Sequence, residues 1–316
     1  DKISGEEKAK VETEIENVKK ALEGTDTEAI KQATEKLTTV FYEISEKLYK
    51  QLLQYTDRIE RYTIDECFMD LTLFLRKNEK LIDKAYEIKR RVKEELGFTV
   101  NVGVSTNKLL AKMASDFEKP DKVHTLFKEE IQNKMWPLPA SELFMVGKGS
   151  ISKLQQLGIK TIGDIAKCDK NMLIKRFGKH GKMMWEYANG IDESEVVYVQ
   201  ETPKCIGNSI TLPRDVYNIS KLNEILLALS EQVGFRLRKY KLFAGVINVQ
   251  IKTKEFNTYS HQRKLGTPTN VTKDIYITAK QLLEELHKNR AVRLIGIRAD
   301  KLYNENEIQM SLFDTK

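Results

Sequence analysis

Apolar side chains recur at helical spacing through the first fifty residues. A first helix is predicted over residues 4–23, ending at Gly24, and Thr25 or Asp26 is expected to cap a second helix. The apolar positions that define the two helices are Val11, Ile15, Val18, Leu22, Ile30, Ala33, Leu37, Val40 and Ile44. The pattern predicts a helical hairpin over residues 1–50, and its simplest interpretation is a charged surface hairpin.

The pattern changes near Tyr62, where short strands begin to alternate with helices. The predicted elements are a strand at residues 62–72, an amphipathic helix at 81–96, a strand at 98–104, and a helix that is capped by Ser105 or Thr106 and runs through Phe117. Together they predict a mixed α/β unit over residues 51–135.

Two prolines, Pro137 and Pro139, predict a linker, and glycine-rich short helices are expected after it. Residues 146–165 predict a helix-hairpin-helix, in which Gly147 and Gly149 let backbone N–H groups approach a phosphate. Its expected core is Leu154, Leu157, Ile159, Ile162 and Ile165. A glycine-rich helical corner without a ligand is the alternative. This helical domain is predicted at residues 136–200.

The next hundred residues follow the order strand, helix, strand, strand, helix, strand. The predicted ranges are 206–212, 220–240, 245–253, 256–265, 272–287 and 292–302. This order suits a four-stranded sheet with two helices on one face, here over residues 201–303. The third element alternates apolar with polar residues, namely Ile247, Val249 and Ile251 with Asn248, Gln250 and Lys252. One face of the sheet is therefore expected to be polar and available to a ligand.

The chain is basic outside its first fifty residues. Its 316 residues include 53 Lys or Arg and 46 Asp or Glu, a net charge of +7. Residues 1–50 contain 12 acidic and 9 basic residues, so residues 51–316 carry a net charge of +10. Such a positive field favours a polyanionic partner, and nucleic acid is the first candidate.

Composition excludes several other classes. With 41% hydrophobic and 31% charged residues, the chain is neither disordered nor a membrane protein, and we expect a cytoplasmic location with no membrane partner. Its three cysteines, Cys67, Cys168 and Cys205, lie far apart and accompany only 4 histidines. A disulfide framework and a zinc site are therefore not expected.

Residues 62–72, Tyr-Thr-Ile-Asp-Glu-Cys-Phe-Met-Asp-Leu-Thr, are the most informative stretch for chemistry. Adjacent residues of a strand face opposite sides, so Asp65 and Glu66 can share one site only at a strand end or turn. Two carboxylates brought together repel each other, and a divalent cation relieves that repulsion. From this motif alone, a strand with exposed acids is the alternative.

This motif resembles the first palm signature of the Y-family, translesion-type DNA polymerases. Residues 102–120, Val-Gly-Val-Ser-Thr-Asn-Lys-Leu-Leu-Ala-Lys-Met-Ala-Ser-Asp-Phe-Glu-Lys-Pro, resemble the second, in the family's order and spacing. The resemblance covers about residues 51–316. It implies a partial α/β palm, a helix-hairpin-helix thumb and a βαββαβ little-finger domain. With the helical hairpin predicted over residues 1–50, the expected fold class is α+β multidomain.

The resemblance also implies a function: a DNA-directed DNA polymerase of the translesion and DNA-repair class, which adds deoxynucleotides to a primer by two-metal phosphoryl transfer. Asp65 and Glu66 would be the catalytic carboxylates that bind Mg²⁺, and Lys119 matches the lysine that contacts the triphosphate. Residues expected to set the start of a helix and the charge around it are Asn107, Lys108 and Lys112.

The implied partners are primer–template DNA and deoxynucleoside triphosphates, and nothing in the sequence indicates a homo-oligomer. DNA-binding residues are expected in the thumb and on the polar sheet face: Gly147, Lys148, Gly149, Lys252, Lys254, Arg263 and Lys264.

Residues 1–50 depart from the family pattern. They resemble the C-terminal helical lid of the seventy-kilodalton heat-shock chaperones, and nothing in them resembles the first palm strand, its metal-binding aspartate or the fingers. We expect a foreign or misjoined segment with the join near residues 41–52. The alternative function is therefore a catalytically inactive damaged-DNA-binding remnant or fusion that has lost the first metal-binding aspartate.

Residues 304–316 lack apolar periodicity and are expected to extend from the fold. They include Gln309, Met310, Leu312 and Phe313, which resemble the peptide with which bacterial members of the family dock on the sliding clamp. Leu312 and Phe313 would fill an apolar pocket, Met310 would add adaptable contact and Gln309 would bond at the rim. A frayed terminus is the alternative.

Overall fold

The structure, a computed structural model, describes residues 5–73, 80–199 and 202–307. It divides after Val199 into two compact units. None of the helices in the described ranges is long and apolar enough to cross a membrane.

The first unit begins with a helical hairpin made of α1 (Gly5–Glu23) and α2 (Thr27–Leu52). Asp26 caps α2, since its side chain accepts bonds from two backbone N–H groups at 2.9 and 3.2 Å. The predicted hairpin is thus confirmed. No described side chain between residues 9 and 44 is buried, because the apolar sides of the two helices cover only each other. The last two turns of α2 are different, with Ser45, Tyr49, Gln51 and Leu52 buried.

Two small sheets follow. Strands β1 (Ile59–Arg61) and β2 (Cys67–Met69) pair antiparallel, and β3 (Val102–Val104) pairs parallel with β4 (Val123–Thr125). The helices of this region are α3 (Leu81–Arg91), which continues into a π turn at Val92–Leu96, and α4 (Lys108–Ser115). Close packing of α4 on β3 requires Gly103, because a Cβ there would lie 1.8 Å from the Ala111 carbonyl oxygen.

Three predictions for this region are wrong in detail. Residues 62–72 are not one strand, because the chain turns between β1 and β2. The strand expected at residues 98–104 is reduced to three residues, since β4 offers only three pairing positions. The helix after it is capped by Asn107 rather than Ser105 or Thr106, and the Asn107 side chain accepts a bond from the Leu110 N–H at 2.9 Å.

Short helices complete the first unit. They are α5 (Lys148–Gln156), α6 (Ile162–Lys167), α7 (Lys170–Phe177) and α8 (Lys179–Ala188), with single turns at Lys128–Glu130, Ile131–Met135 and Ala140–Glu142. One hydrophobic cluster joins α4 to these helices and includes Leu110, Leu154 and Met184. The predicted linker is packed, since the Trp136 indole N–H donates to the Ala188 carbonyl at 2.9 Å. Leu157, predicted in the core, is 40% exposed because it follows the end of α5.

The second unit confirms the predicted βαββαβ order. Its elements are β5 (Cys205–Val216), α9 (Ile219–Lys239), β6 (Leu242–Thr253), β7 (Thr258–Thr269), α10 (Thr272–His287) and β8 (Val292–Asn304), followed by a 3-10 turn at Glu305–Glu307. The four strands lie in the order β5-β8-β6-β7, and each neighbouring pair is antiparallel. Both helices pack on one face of the sheet, where Ile247, Val249 and Ile251 are buried. Gln250 on the other face is exposed, as predicted.

Candidate active site and nucleic-acid interface

The acidic pair lies on the turn between β1 and β2, and α2 holds this turn in place. The Ser45 hydroxyl donates to the Ile64 carbonyl, and the Tyr49 hydroxyl donates to the Thr63 carbonyl at 3.2 Å. Burial raises the pKa of Tyr49 to about 12, so the phenol remains a donor at neutral pH. The buried end of α2 therefore orders the backbone that carries the carboxylates.

Thr63 shapes the turn from within. Its hydroxyl donates to an Asp65 carboxylate oxygen at 2.7 Å and accepts the Glu66 backbone N–H at 3.1 Å. The Asp65 residue is exposed, and the Glu66 side chain is 37% exposed. The pair lies on a turn, which is the condition under which two adjacent carboxylates can share one site, so strand alternation does not force the two side chains apart.

Ion pairs connect Glu66 with Lys119. The Lys112 ammonium lies 2.7 Å from Glu66 Oε1 and 2.9 Å from Asp116 Oδ2, and Lys119 lies 2.8 Å from Asp116 Oδ1. Lys112 is only 14% exposed, whereas Lys119 is 55% exposed. The sequence reasoning missed the bridging role of Asp116. The spacing could have indicated this role, because Asp116 follows Lys112 by four residues and precedes Lys119 by three. Such spacing places the three side chains together on and just beyond α4.

Electrostatics keeps the middle of this series charged. Although burial acts to raise the pKa of Asp116, hydrogen bonds from Lys119 and Lys112 hold it below its ordinary value. Burial acts to lower the pKa of Lys112, but the carboxylates of Glu66 and Asp116 raise it above its ordinary value. Asp116 and Lys112 therefore form the charged middle of the series of ion pairs that runs from Glu66 to Lys119.

Asn107 and Lys108 take the structural roles predicted for them. Asn107 caps α4 and its side-chain amide donates to the Gly190 carbonyl at 3.0 Å. The Lys108 ammonium lies 2.7 Å from Glu60 Oε2 and donates to the Glu195 carbonyl at 3.1 Å. These contacts fasten the segment after α8 to α4 and β1.

Asp65 and Glu66 suit a hard divalent cation. Within the described residues, no cluster of three or more His, Cys, Asp and Glu side chains forms a complete cation site. Mg²⁺ in phosphoryl-transfer sites is typically held by one or two carboxylates together with substrate phosphates and water. Two carboxylates on an accessible turn match that donor set.

An open cleft of about 410 Å³ lies at the start of α5. Its lining consists of Gly147, Gly149, Ser150, Lys153, Arg176, Phe177 and His180. A Cβ at Gly147 or Gly149 would meet nothing within 4 Å, so packing does not require glycine at either position. Bare backbone N–H groups at the start of a helix favour close approach of an anion. Lys148 beside them is exposed.

The sequence reasoning missed Arg176 and His180 as members of this cleft. They come from α7 and α8, and only the packing of the helices brings them to α5. His180 Nε2 lies 3.2 Å from the Met145 carbonyl oxygen, and this contact connects α8 with the segment just before Gly147.

The predicted DNA-binding residues of the second unit lie on different faces of its sheet. Lys252 and Lys264 belong to the open face, because Lys264 pairs with Val246, and positions 246 and 252 alternate with Ile247, Val249 and Ile251 in the core under the helices. Lys254 follows β6 and is about half exposed. Arg263 does not lie on the open face, contrary to the prediction. It pairs with Ile247, and its guanidinium lies 2.5 Å from Glu285 of α10. It therefore belongs to the helical side.

Known families match three parts of the chain. The impB/mucB/samB family matches residues 14–116, its C-terminal domain matches residues 203–312, and the thumb domain of DNA polymerase-iota matches residues 141–192. DNA polymerase IV of Clostridium acetobutylicum is 48% identical over 272 residues, which cover 86% of this chain and 68% of the relative. The chain belongs to the Y-family DNA polymerases. DNA polymerase IV 2 of Bacillus subtilis is 35% identical over 281 residues, which cover 86% of this chain and 68% of that protein.

Solved structures of the Y-family share the fold. A Y-family DNA polymerase chimera of Dbh and Dpo4 superposes with a TM-score of 0.71 at 25% identity, covering 85% of this chain and 78% of the chimera. A ternary complex of Dbh gives a TM-score of 0.54 at 27% identity, with coverage of 84% and 79%. The expected Y-family resemblance and the α+β multidomain fold are thus confirmed.

The ranges matched by the family models can be compared with the segments predicted from sequence. The thumb and C-terminal matches fall within or close to the ranges predicted from sequence, 136–200 and 201–303. The family match that begins at residue 14 includes most of the hairpin that resembles a chaperone lid. Gln309, Met310, Leu312 and Phe313 lie outside the described residues.

Proposed function

We propose that the chain is a DNA-directed DNA polymerase of the translesion and DNA-repair class, which adds deoxynucleotides to a primer on a DNA template. The observation that carries this proposal is the acidic turn, where Asp65 and Glu66 are accessible and Glu66 is linked by ion pairs to Lys119. Membership of the Y-family supplies the reaction class. The accessible carboxylates of the acidic turn and the exposed Lys119 ammonium support this proposal.

Asp65 and Glu66 would hold Mg²⁺. When bound, this ion stabilises the negative charge that develops on the transferred phosphoryl group and its oxygens. Hydrogen bonds made by Ser45, Tyr49 and Thr63 hold the backbone of the acidic turn, which would reduce the reorganisation needed when substrate arrives.

Lys119 would contact the triphosphate as a compact point charge. Its ion pair with Asp116 is at the surface, and such a pair contributes about 1 kcal/mol or less. A triphosphate can therefore draw the Lys119 ammonium away at little cost.

Two surfaces would hold the primer–template. The cleft at the start of α5 offers backbone N–H groups together with Lys153 and Arg176, which suit a backbone phosphate. Lys252 and Lys264 on the open sheet face add positive charge that can neutralise further phosphates. Binding is therefore expected to depend on salt and little on sequence.

Primer extension tests the proposal. The chain is assayed with Mg²⁺, primer–template and all four deoxynucleoside triphosphates, beside an Asp65→Asn/Glu66→Gln variant that keeps the size of both side chains. We expect extension by the unaltered chain and a loss of roughly a thousandfold or more in the variant, with DNA binding retained. Equal, background-level extension by both proteins would refute polymerase activity and leave a DNA-binding protein.

The sliding clamp is proposed as a further partner through Gln309, Met310, Leu312 and Phe313. Short linear peptides bind their partners with limited affinity, so we expect docking in the micromolar range whose effect is to tether the polymerase to DNA. Titrating clamp with the intact chain and with a Leu312→Ala/Phe313→Ala variant tests this, and equal affinities would remove the clamp from the list of partners.

A further inference from the structure

Four alternating charges connect the two ends of the proposed active site. They run from Glu66 through Lys112 and Asp116 to Lys119, with contacts of 2.7, 2.9 and 2.8 Å. The line begins at a proposed metal-binding carboxylate and ends at the proposed triphosphate-binding lysine.

The order of charges predicts how one end affects the other. Asp116 shares its two carboxylate oxygens between Lys112 and Lys119. When Lys119 leaves for a triphosphate, Asp116 attracts Lys112 more strongly, since the competing cation is gone. Lys112 in turn holds Glu66 less strongly, and the Glu66 carboxylate becomes more available to a cation.

Partial burial makes this path effective. Lys112 is 14% exposed, so water screens its two ion pairs less than it screens Lys119. Because Lys112 contacts Glu66 at 2.7 Å, a cation that binds this carboxylate must compete with the lysine. Lys112 therefore acts as an internal competitor for the metal site.

We propose that Lys112 and Asp116 are positioning residues that couple triphosphate binding at Lys119 to divalent-cation binding at Glu66. The assignment of the two ends rests on the proposed function. The coupling itself is a property of this chain's ion pairs and can be measured without nucleotide, DNA or catalysis.

The experiment measures Mn²⁺ binding to the full chain by water-proton relaxation, with Asp65→Asn/Glu66→Gln defining the binding that does not belong to the acidic turn. Lys119→Met imitates the departure of Lys119 from Asp116. We expect it to raise the Mn²⁺ affinity about threefold. In an Asp116→Asn background, Lys119→Met should raise the Mn²⁺ affinity by less than about half of that factor, because the ion pairs of Asp116 are already lost.

The competing explanation is that losing the positive charge of Lys119 acts directly on the metal site. Comparing Lys119→Met in the unaltered and the Asp116→Asn backgrounds separates this explanation from the proposed coupling. Equal increases from Lys119→Met in both backgrounds would overturn the proposal. Lys122→Met is the matched control, since Lys122 is 46% exposed and lies 3.1 Å from Glu118 instead of Asp116. An increase from Lys122→Met as large as that from Lys119→Met would likewise count against the path.

Lys112→Met tests the competitor directly. We expect the Mn²⁺ affinity to rise about tenfold, equivalent to about 1.4 kcal/mol. A fall, with the fold intact by circular dichroism, would mean that Lys112 supports the metal site instead of competing for it, and would overturn the proposal. Since no primer is extended in these measurements, failure here leaves the polymerase proposal standing, and failure of extension leaves the coupling result intact.

Discussion

The acidic turn and the open-faced sheet are supported in different ways. The sheet of the second unit has strands of 12 or 13 residues and rests on a cluster that includes Ile247, Leu226 and Leu283, all fully buried. The acidic turn joins two strands of 3 residues each. The hydrophobic cluster beside it has Ile88 and Val92 among its few buried members.

Polar contacts compensate for the small core around the turn. Hydrogen bonds from Ser45 and Tyr49 hold its backbone, and the Arg58–Asp70 pair at 3.1 Å lies beside its strands. The comparison teaches that hydrophobic burial shapes the expected DNA-binding surface, whereas hydrogen bonds and ion pairs shape the expected catalytic one. The two regions should therefore respond differently to cavities, to loss of charge and to acid.

The largest difference is expected from a matched pair of core substitutions. Ile247→Ala should cost about 4 kcal/mol of unfolding free energy, because Ile247 is fully buried within the large hydrophobic cluster of the second unit. Ile88→Ala should cost about 2 kcal/mol, since Ile88 is 6% exposed in a small cluster that can relax. Urea titrations followed by hydrogen exchange in each unit measure both values, and equal losses would contradict the comparison.

Loss of one ion pair should affect mainly the first unit. Lys108→Met removes the ion-pair partner of the Glu60 carboxylate, which is 17% exposed, and leaves it the Val197 N–H at 2.8 Å as a hydrogen-bond donor within the described part of the chain. We expect a loss of roughly 2 kcal/mol and faster hydrogen exchange in β1 and β2. Lys264→Met is the control on the exposed sheet face and should leave exchange in both units unchanged. A similar effect from both variants would show that the polar contacts are not special to the turn.

Acid should unfold the first unit before the second. In the described part of the first unit, hydrogen bonds and ion pairs lower the carboxyl pKa values of Glu46, Asp70, Glu87, Glu95, Asp116, Asp121, Glu130 and Asp164. In the described part of the second unit, the same holds for Asp215 and Glu255.

A carboxyl group with a lowered pKa stabilises the folded state above its unfolded value and loses that contribution as pH falls through the folded value. The ordinary values are 3.8 for Asp and 4.5 for Glu, so the loss should occur below about pH 4. Hydrogen exchange of each unit during a titration from about pH 5 to pH 2 tests this. Earlier unfolding of the second unit would reverse the comparison.

The smallest effect is expected at two neighbouring residues of β7. Lys264→Gln should weaken DNA binding a few-fold and reduce the slope of log affinity against log salt by about 0.9, because one phosphate contact is lost. Arg263→Gln should change neither, since the Arg263 guanidinium is paired with Glu285 on the helical side. Fluorescence anisotropy with one duplex at several salt concentrations compares them, and equal slopes for both variants would show that the faces are wrongly assigned.

Local patterns were enough to predict the βαββαβ order and the helical hairpin. Alternation in β6 and helical spacing in α9 and α10 depend only on neighbours a few residues apart, and the apolar residues in these patterns are numerous. The acidic pair was also found from sequence, because Asp65 and Glu66 stand next to each other in a recognisable motif. The turn that carries them was anticipated only as one of the places where two adjacent carboxylates could meet.

Tertiary structure decided what no local pattern specifies. Strand alternation alone excludes Arg263 and Lys264 from a common face, but only the pairing of Arg263 with Ile247 determines which of them faces the helices. Glu66 meets Lys112 because the fold brings the acidic turn beside α4, although 46 residues separate the two in the chain. Arg176 and Gly149 line one cleft for a similar reason. Sequence by itself determined the elements and the residue types available for chemistry. Their partners depended on register and packing between distant segments, since side chains far apart in the chain interact only after the fold brings them together.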